Sequence, residues 1–149
     1  MDHTYTNLIY HLVWSTKNRE AFITEEMEPR FHQYLGGAIR NEDGICLTIN
    51  GTEDHVHILA KFKPTKAIAD VVGRIKANSS GWVHKEFSFW DFNWQDGYGA
   101  FTVSASQIDK VQKYIENQKA HHRGESFRDE FIRLLEKHEV DYQLKYLWK

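Results

Sequence analysis

The segment from residue 55 to residue 62, HVHILAKF, constrains the fold most strongly because it alternates between two kinds of position. Side chains of a β-strand point alternately to opposite faces, so the segment predicts a strand with one face directed at helices. That apolar face carries Val56, Ile58, Ala60 and Phe62. His55 and His57 share the other face.

The elements before this strand follow from hydrophobic spacing. YTNLIYHLVWSTKN predicts a first strand over about residues 4 to 16, and ICLTING predicts a strand that forms a hairpin with HVHILAKF. Between them, Thr24 is the expected N-cap of a helix. The apolar stripe of that helix comprises Met27, Phe31, Tyr34, Leu35 and Ile39.

The second half of the chain predicts three more helices and a strand. A helix from Thr65 is expected to break or kink near Ser79, and a strand is expected over about residues 99 to 104. Ser106 with Asp109 predicts the cap of a third helix, which would end near His122. A fourth helix would present Phe127, Phe131, Leu134 and Leu135.

This order predicts an α+β fold, a ferredoxin-like or RRM-like β-α-β-β-α-β sheet with additional C-terminal helices. The length of 149 residues fits a single domain over 1–149. Such an architecture supports many functions, so the function has to be argued from particular residues.

The charge of the chain is unevenly distributed. The formal net charge is −2, which does not indicate a nucleic-acid binder. Residues 20 to 43 are acidic, whereas residues 61 to 85 carry a local excess of positive charge that could attract phosphates. A solvated helix face is the alternative interpretation. The basic residues are Lys61, Lys63, Lys66, Arg74, Lys76 and Lys85.

The remaining composition indicates a soluble protein of the cytoplasm. Cys46 is the single cysteine, which excludes an internal disulfide and suits a reducing compartment. No apolar stretch reaches about 18 residues, and the N-terminal segment lacks the features of a signal peptide.

His55 and His57 are candidates for a metal site. Same-face residues two apart in a strand have Cα atoms about 6 to 7 Å apart, so two imidazoles could converge on one cation. Two ligands alone do not make a site. The alternative is that both are polar residues on an exposed face.

A further donor is available in the predicted third helix. Tyr114 and Gln118 are four residues apart, which places them on one helix face beside the apolar stripe, and His121 lies on the same edge. Helical spacing equally allows Tyr114 to pack against the sheet with its hydroxyl in water.

Three motifs together resemble a known family. HVHIL, WQDGYGAFTVSAS and VQKYIENQKAHH occur in this order, and the chain resembles the single-tyrosine HUH transposases of the insertion-sequence 200/605 group. HUH denotes histidine, a hydrophobic residue and histidine, here His55, Val56 and His57. The resemblance extends from YHLVWSTKNR to FIRLLEKHEVDYQLKYLW.

The resemblance implies a site and a reaction. His55, His57 and Gln118 would be metal ligands, with His121 as a possible substitute for Gln118, and Tyr114 would be the nucleophile. The tyrosine would attack a DNA phosphodiester and form a 5′-phosphotyrosine bond that a second 3′-hydroxyl can reverse. Such ligands suit Mg²⁺ or Mn²⁺, with Zn²⁺ as a competitor. The sequence identifies no base that would remove the tyrosine proton.

The resemblance also implies a substrate and an assembly. The substrate would be single-stranded DNA with a hairpin, gripped by the basic segment, and Trp90 or Trp94 could stack on unpaired bases or belong to the core. Members of the family work as homodimers in which the tyrosine helix of one subunit completes the histidine site of the other.

Two other functions remain open from the residues alone. A histidine-based phosphoester hydrolase would use His55 or His57 directly, although Leu59 occupies the position where a third alternating histidine would be needed. A ferredoxin-like nucleic-acid-binding module without catalysis, for example a domesticated transposase relative, would leave the histidines in solvent.

Overall fold

Four antiparallel strands form the centre of the computed structural model, which describes residues 3–148. The predicted domain also includes residues 1, 2 and 149, which lie outside this range. In chain order the elements are β1 (Leu8–Ser15), α1 (Glu28–Asn41), β2 (Ile45–Thr52), β3 (His55–Phe62), α2 (Ile68–Glu86), β4 (Gly99–Thr102), α3 (Ile108–Glu116), α4 (Gln118–His121), α5 (Phe127–Lys137) and α6 (Leu144–Leu147).

The sheet has the strand order β2-β3-β1-β4, and each neighbouring pair is antiparallel. β1 and β3 are therefore the two central strands, with Val13 paired to His57 and Ser15 paired to His55. The prediction of an α+β fold with a β-α-β-β-α-β core and additional C-terminal helices is confirmed.

The two faces of the sheet carry different structures. One face packs under α1 and α2 and forms the main core, in which Val56 and Ile58 of β3 meet Phe31 of α1 and Ile75 of α2. Helices α3 and α5 lie on the other face, where they contribute to two smaller apolar clusters around Leu59 and Phe131. The alternation read from β3 thus predicts which residues face α1 and α2.

The predicted break in α2 near Ser79 is wrong. The helix is continuous from Ile68 to Glu86. Ser79 is fully buried, its hydroxyl donates to the backbone oxygen of Lys76 at 3.1 Å, and it accepts a bond from Trp94 Nε1 at 2.9 Å. The polar group that suggested a weak point is satisfied inside the helix and the core.

The predicted caps are only partly present. Thr24 Oγ1 accepts a hydrogen bond from the backbone N–H of Met27 at 3.3 Å, but α1 itself begins at Glu28. Ser106 does not cap α3, because it lies in a short 3₁₀ turn (Ala105–Gln107) and its hydroxyl contacts Ser104 Oγ at 3.2 Å. Among residues 3–148, no helix is both long and apolar enough to cross a membrane.

Two glycines provide a matched test of this fold. A Cβ added at Gly51, beside His55 in the β2–β3 hairpin, would approach the backbone oxygen of His55 at 2.1 Å, whereas a Cβ at Gly73 in α2 meets no atom within 4 Å. We expect Gly51→Ala to lower the free energy of unfolding by about 1 to 3 kcal/mol. Gly73→Ala should raise it by about 0.5 to 1 kcal/mol.

Urea unfolding monitored by circular dichroism measures both effects on the free energy of unfolding. Equal effects of the two substitutions would contradict the close approach of the hairpin strands at Gly51.

Candidate active site

The two histidines of β3 lie beneath helices and not in solvent. Both His55 and His57 have a relative exposure of 0 %. The ring of Tyr114 from α3 packs edge-to-face against that of His57, with centroids 5.8 Å apart. The alternative of an exposed polar face is therefore wrong for this structure.

Asn50 of β2 positions the tyrosine helix. Its Nδ2 donates to the backbone oxygens of Ile115 and Glu116, both at 3.0 Å, and so satisfies carbonyl groups at the C-terminal end of α3. Asn50 is also paired with His57 across the sheet. The end of α3 is thereby tied to the strand position opposite a predicted metal ligand.

The predicted continuous third helix is interrupted at this point. The chain leaves helical geometry at Asn117, and Gln118 begins the short α4. Gln118 is nevertheless fully buried and directed at the histidines, with its Oε1 3.0 Å from His55 Nε2. The structure thus brings Tyr114, Gln118 and both histidines together within one chain.

Glu130 of α5 lies at the centre of this cluster, and sequence analysis did not identify it. Its Oε1 is 2.9 Å from His57 Nε2, 3.5 Å from His55 Nε2 and 2.8 Å from His122 Nε2. Its Oε2 accepts hydrogen bonds from Gln118 Nε2 at 3.0 Å and from the Tyr114 hydroxyl. One buried carboxylate therefore joins the histidines to the tyrosine.

Sequence analysis also did not identify His122, which bonds Glu130. The neighbouring His121, expected as a substitute for Gln118, instead bonds Glu125 Oε1 at 2.6 Å and lies 3.7 Å from Glu130 Oε2. Among the described residues, one group with metal-ligand geometry comprises His55, His57, His122 and Glu130, and another comprises His121, Glu125 and Glu130.

The hydrogen bonding around His55 is compatible with a cation at this position. Its Nδ1 lies 2.7 Å from Asp54 Oδ1 and 3.0 Å from Thr52 Oγ1. If the ring is neutral with its proton on Nδ1, the lone pair of Nε2 faces the oxygens of Gln118 and Glu130, which are also acceptors. A cation between these atoms, or a second proton on the ring, would remove the unfavourable contact between acceptors.

The distances are compatible with a small divalent ion. Ligand atoms about 2.1 Å from one ion and at right angles are about 3.0 Å apart. The contacts of 3.0 Å between His55 and Gln118 and 2.9 Å between His57 and Glu130 match this edge length. The donor set of nitrogen, amide oxygen and carboxylate therefore fits such an ion.

Burial and charge determine the ionisation of these groups. Burial lowers the pKa of His57 to about 4, although Glu130 opposes this shift, so the ring is neutral and able to act as a ligand near pH 7. Burial opposes ionisation of Glu130, but hydrogen bonds from His122 and His57 outweigh it and hold the carboxyl pKa far below its usual range.

Tyr114 is held between opposite charges. Burial and the hydrogen bond to Glu130 raise the pKa of its hydroxyl, whereas Arg133, whose Nη2 donates to the phenolic oxygen at 2.8 Å, acts in the opposite direction. A positive charge beside Glu130 would therefore favour the phenolate form of Tyr114.

The predicted DNA-binding residues differ in their surroundings. Arg74 forms an ion pair with Glu42 at 2.6 Å, Lys66 lies 3.8 Å from Glu42 and from Asp43, and Lys76 donates to two backbone oxygens. Lys63 and Lys85 are exposed, and Lys61 is partly exposed. Trp94 belongs to the core, whereas Trp90 is 67 % exposed.

Comparison with solved structures places this fold among transposases. A Deinococcus radiodurans crystal structure described as a transposase superposes with a TM-score of 0.64 and 27 % identity, over 78 % of this chain and 94 % of that chain. The structure of a REP-associated tyrosine transposase bound to a REP hairpin superposes with a TM-score of 0.61, over 80 % of this chain and 72 % of that chain. Its sequence identity of 10 % supports similarity of fold alone.

Sequence comparison identifies the family. Residues 4–118 match the family described as transposase IS200 like, and the chain belongs to this family. The ISDra2 transposase TnpA of Deinococcus radiodurans is 30 % identical over 117 residues, which cover 74 % of this chain and 84 % of the relative. The IS200 transposase of Salmonella typhimurium is 28 % identical over 127 residues, which cover 78 % of this chain and 80 % of the relative.

Proposed function

We propose that this transposase cleaves and rejoins single-stranded DNA through Tyr114, beside a divalent cation held by His55, His57, Gln118 and Glu130. The observation that carries the proposal is the position of Glu130, whose two carboxylate oxygens contact the histidines on one side and the tyrosine hydroxyl on the other. A nucleophile and a set of metal ligands therefore share one buried residue.

The ligands have separate supports that fix their orientation. Asp54 and Thr52 hold His55 through Nδ1, and His11 Nε2 lies 2.8 Å from His57 Nδ1, so both rings direct Nε2 at Glu130. A bound divalent ion would supply positive charge that neutralises the scissile phosphate and lowers the pKa of the nearby phenol. We propose Mg²⁺ or Mn²⁺ as the physiological ion, since Zn²⁺ is expected only as a competitor.

The proposed cleavage step uses Tyr114 and Arg133. A bond forms between the phenolic oxygen and phosphorus, the bond from phosphorus to the 3′-oxygen breaks, and the phenolic proton ends on that oxygen as a 3′-hydroxyl. Arg133 donates to the phenolic oxygen and would stabilise its negative charge before attack. Attack by a second 3′-hydroxyl reverses these changes and joins a new strand.

The proposed substrate is single-stranded DNA with a hairpin. A solved structure of similar fold is bound to a REP hairpin. On this chain, the exposed Lys63 and Lys85 and the partly exposed Lys61 are the members of the basic segment available to phosphates, and the exposed Trp90 could stack on a base. Contact of Lys66, Arg74 or Lys76 with DNA would require their present partners to be released.

The proposed homodimer with a shared site stays a prediction. Tyr114 and the histidines meet within the single described chain, so a second subunit is not needed to bring them together. A mixture of Tyr114→Phe and His57→Ala chains distinguishes the arrangements, because only a shared site would restore cleavage.

The reaction is tested by incubating the protein with Mn²⁺ and end-labelled hairpin oligonucleotides. We expect a protein–DNA adduct that survives denaturation, and mass spectrometry should place the DNA 5′-phosphate on Tyr114. Hairpin binding without any adduct would instead support the non-catalytic module, and attachment at Tyr98 would overturn the assignment of the nucleophile.

Metal binding is expected to stabilise the folded protein. At a Mn²⁺ concentration of about 100 times Kd, the gain is about 2.7 kcal/mol, which corresponds to a rise in Tm of several degrees. His57→Ala should abolish this rise because it removes a buried ligand, whereas His3→Ala, at an exposed position, should retain it. Differential scanning calorimetry with and without EDTA makes the comparison, and an equal rise in both variants would place the ion elsewhere.

A further inference from the structure

A cavity of about 270 Å³ opens beside the tyrosine, and neither histidine of β3 lines it. It lies between α3, α5 and the end of β4, and Tyr114 forms part of its wall. Its volume corresponds to about nine water molecules at roughly 30 Å³ each, which is room for one base but not for a duplex. The phosphates of a nucleotide bound there would lie at its rim, where Lys110 and Lys137 are exposed.

The charge of this cavity differs from that of the chain as a whole. Among the described residues that line it, none is acidic. Arg133 lines it but is paired with Glu125 at 3.0 Å, whereas Lys110 of α3 and Lys137 of α5 contribute two ammonium groups. Neither lysine forms an ion pair with a described residue. Four other surface cavities each include at least one carboxylate residue in their walls.

The remaining walls suit a nucleobase. Val111 and Leu134 provide apolar surface. His138 also lines the cavity, and its ring is stacked on Phe101 with centroids 4.3 Å apart and planes 12° apart. A ring held in one orientation is suited to stacking on a base, and cations nearby are suited to the phosphate of the same nucleotide.

The position of the tyrosine decides which nucleotide would enter. In-line attack requires the leaving 3′-oxygen to lie on the side of phosphorus opposite the phenolic oxygen. A cavity lined by Tyr114 is therefore poorly placed for the nucleotide that leaves. The nucleotide on the 3′ side of the scissile phosphate, which stays attached to tyrosine, meets this requirement.

We propose that the cavity between α3 and α5 binds the nucleotide on the 3′ side of the scissile phosphate, with Lys110 and Lys137 on its phosphates and His138 against its base. This assignment rests on the proposed cleavage by Tyr114. It adds a binding subsite to which α5 and its C-terminal end contribute Lys137 and His138, beyond the matched residues 4–118, whereas Lys110 lies within them.

The probes are the four deoxynucleoside 3′,5′-diphosphates, which carry a phosphate on each side of one nucleoside. Isothermal titration calorimetry with the full-length protein should detect binding of at least one of them. In Lys110→Ala/Lys137→Ala we expect Kd to rise about tenfold because two phosphate contacts are lost. The matched control Lys113→Ala/Lys145→Ala removes the same charge at exposed positions outside the cavity and should change Kd less than about twofold.

A second measurement uses an oligonucleotide that the wild-type protein cleaves. A neutral methylphosphonate at the phosphate that follows the bound nucleotide should lower kcat/KM for the wild type but cause little further loss in Lys110→Ala/Lys137→Ala. Equal losses of kcat/KM in both proteins would overturn the subsite. In the calorimetric test, equal binding of the diphosphates by the two double variants would overturn it, and so would undetectable binding by the wild type.

The two proposals fail in different ways. Absence of a Tyr114 adduct while the diphosphates still bind through Lys110 and Lys137 would refute the cleavage reaction and leave a nucleotide-binding cavity. Normal adduct formation with diphosphate binding unaffected by Lys110→Ala/Lys137→Ala would refute the subsite and leave the reaction intact.

Discussion

Tyr114→Phe is expected to reduce formation of the covalent protein–DNA adduct by at least about 10⁴-fold, since it removes the attacking oxygen itself. The substitution keeps the aromatic ring, so the contacts of Tyr114 with His57 and His11 remain. Hairpin binding should change little, whereas loss of the hydrogen bonds to Glu130 and Arg133 should lower the free energy of unfolding by about 1 to 3 kcal/mol. Denaturing gel electrophoresis of labelled DNA measures the adduct, and a gel-shift titration measures binding.

Tyr98→Phe is the matched control. Tyr98 is 38 % exposed and lies in the wall of a different cavity. Loss of the same hydroxyl there should leave adduct formation unchanged. Substantial adduct formation by Tyr114→Phe would contradict the assignment of the nucleophile, and loss of hairpin binding together with activity would indicate that the hydroxyl maintains the structure.

Glu130→Gln is expected to weaken Mn²⁺ binding by about 10- to 100-fold or more. The amide has nearly the shape of the carboxylate, but it carries no negative charge to balance a divalent ion and its NH₂ group cannot accept a hydrogen bond. Adduct formation at low Mn²⁺ should fall in parallel and recover in part at high Mn²⁺. Calorimetric titration gives the Kd of Mn²⁺, and single-turnover kinetics over a range of metal concentrations give the activity.

Glu136→Gln tests whether this effect is specific. Glu136 is exposed on the same helix, and its Oε1 accepts a bond from the Tyr142 hydroxyl at 2.8 Å. This variant removes the same charge and should bind Mn²⁺ as the wild type does. Unchanged metal binding in Glu130→Gln would show that the carboxylate orients Tyr114 without holding the ion.

Strand alternation predicted the architecture because one face of β3 is wholly apolar. Val56 and Ile58 had to meet helices, which placed both histidines together on the opposite face. The burial of that opposite face was not predictable from β3 alone. It depends on α3 and α5, which return to the sheet from positions distant in sequence.

Glu130 was missed because it lies within an apolar stripe. It follows Phe127 by three residues and precedes Leu134 by four, so it shares the buried helix face with core residues. A carboxylate on such a face is costly to bury unless it is paired. That conflict was visible in the sequence and could have identified the residue, but its partners are brought to it only by the folded chain.

The acidic segment (residues 20 to 43) and the basic segment (residues 61 to 85) could not be interpreted separately, because their charges meet in the folded chain. The acidic segment contributes much of α1 and the basic segment much of α2, and these helices pack side by side on the sheet. Arg74 of the basic segment consequently pairs with Glu42 of the acidic segment. Part of the predicted phosphate-binding charge is thus neutralised by a contact between residues 32 positions apart.

The most direct test of the account is the position of a bound ion. Crystals of the protein grown with Mn²⁺ should show an anomalous peak between His55 Nε2, His57 Nε2 and Glu130 Oε1, with Tyr114 of the same or a second chain directed at it. A peak at a different cluster, or a tyrosine hydroxyl far from the ion in every chain, would contradict the proposed reaction.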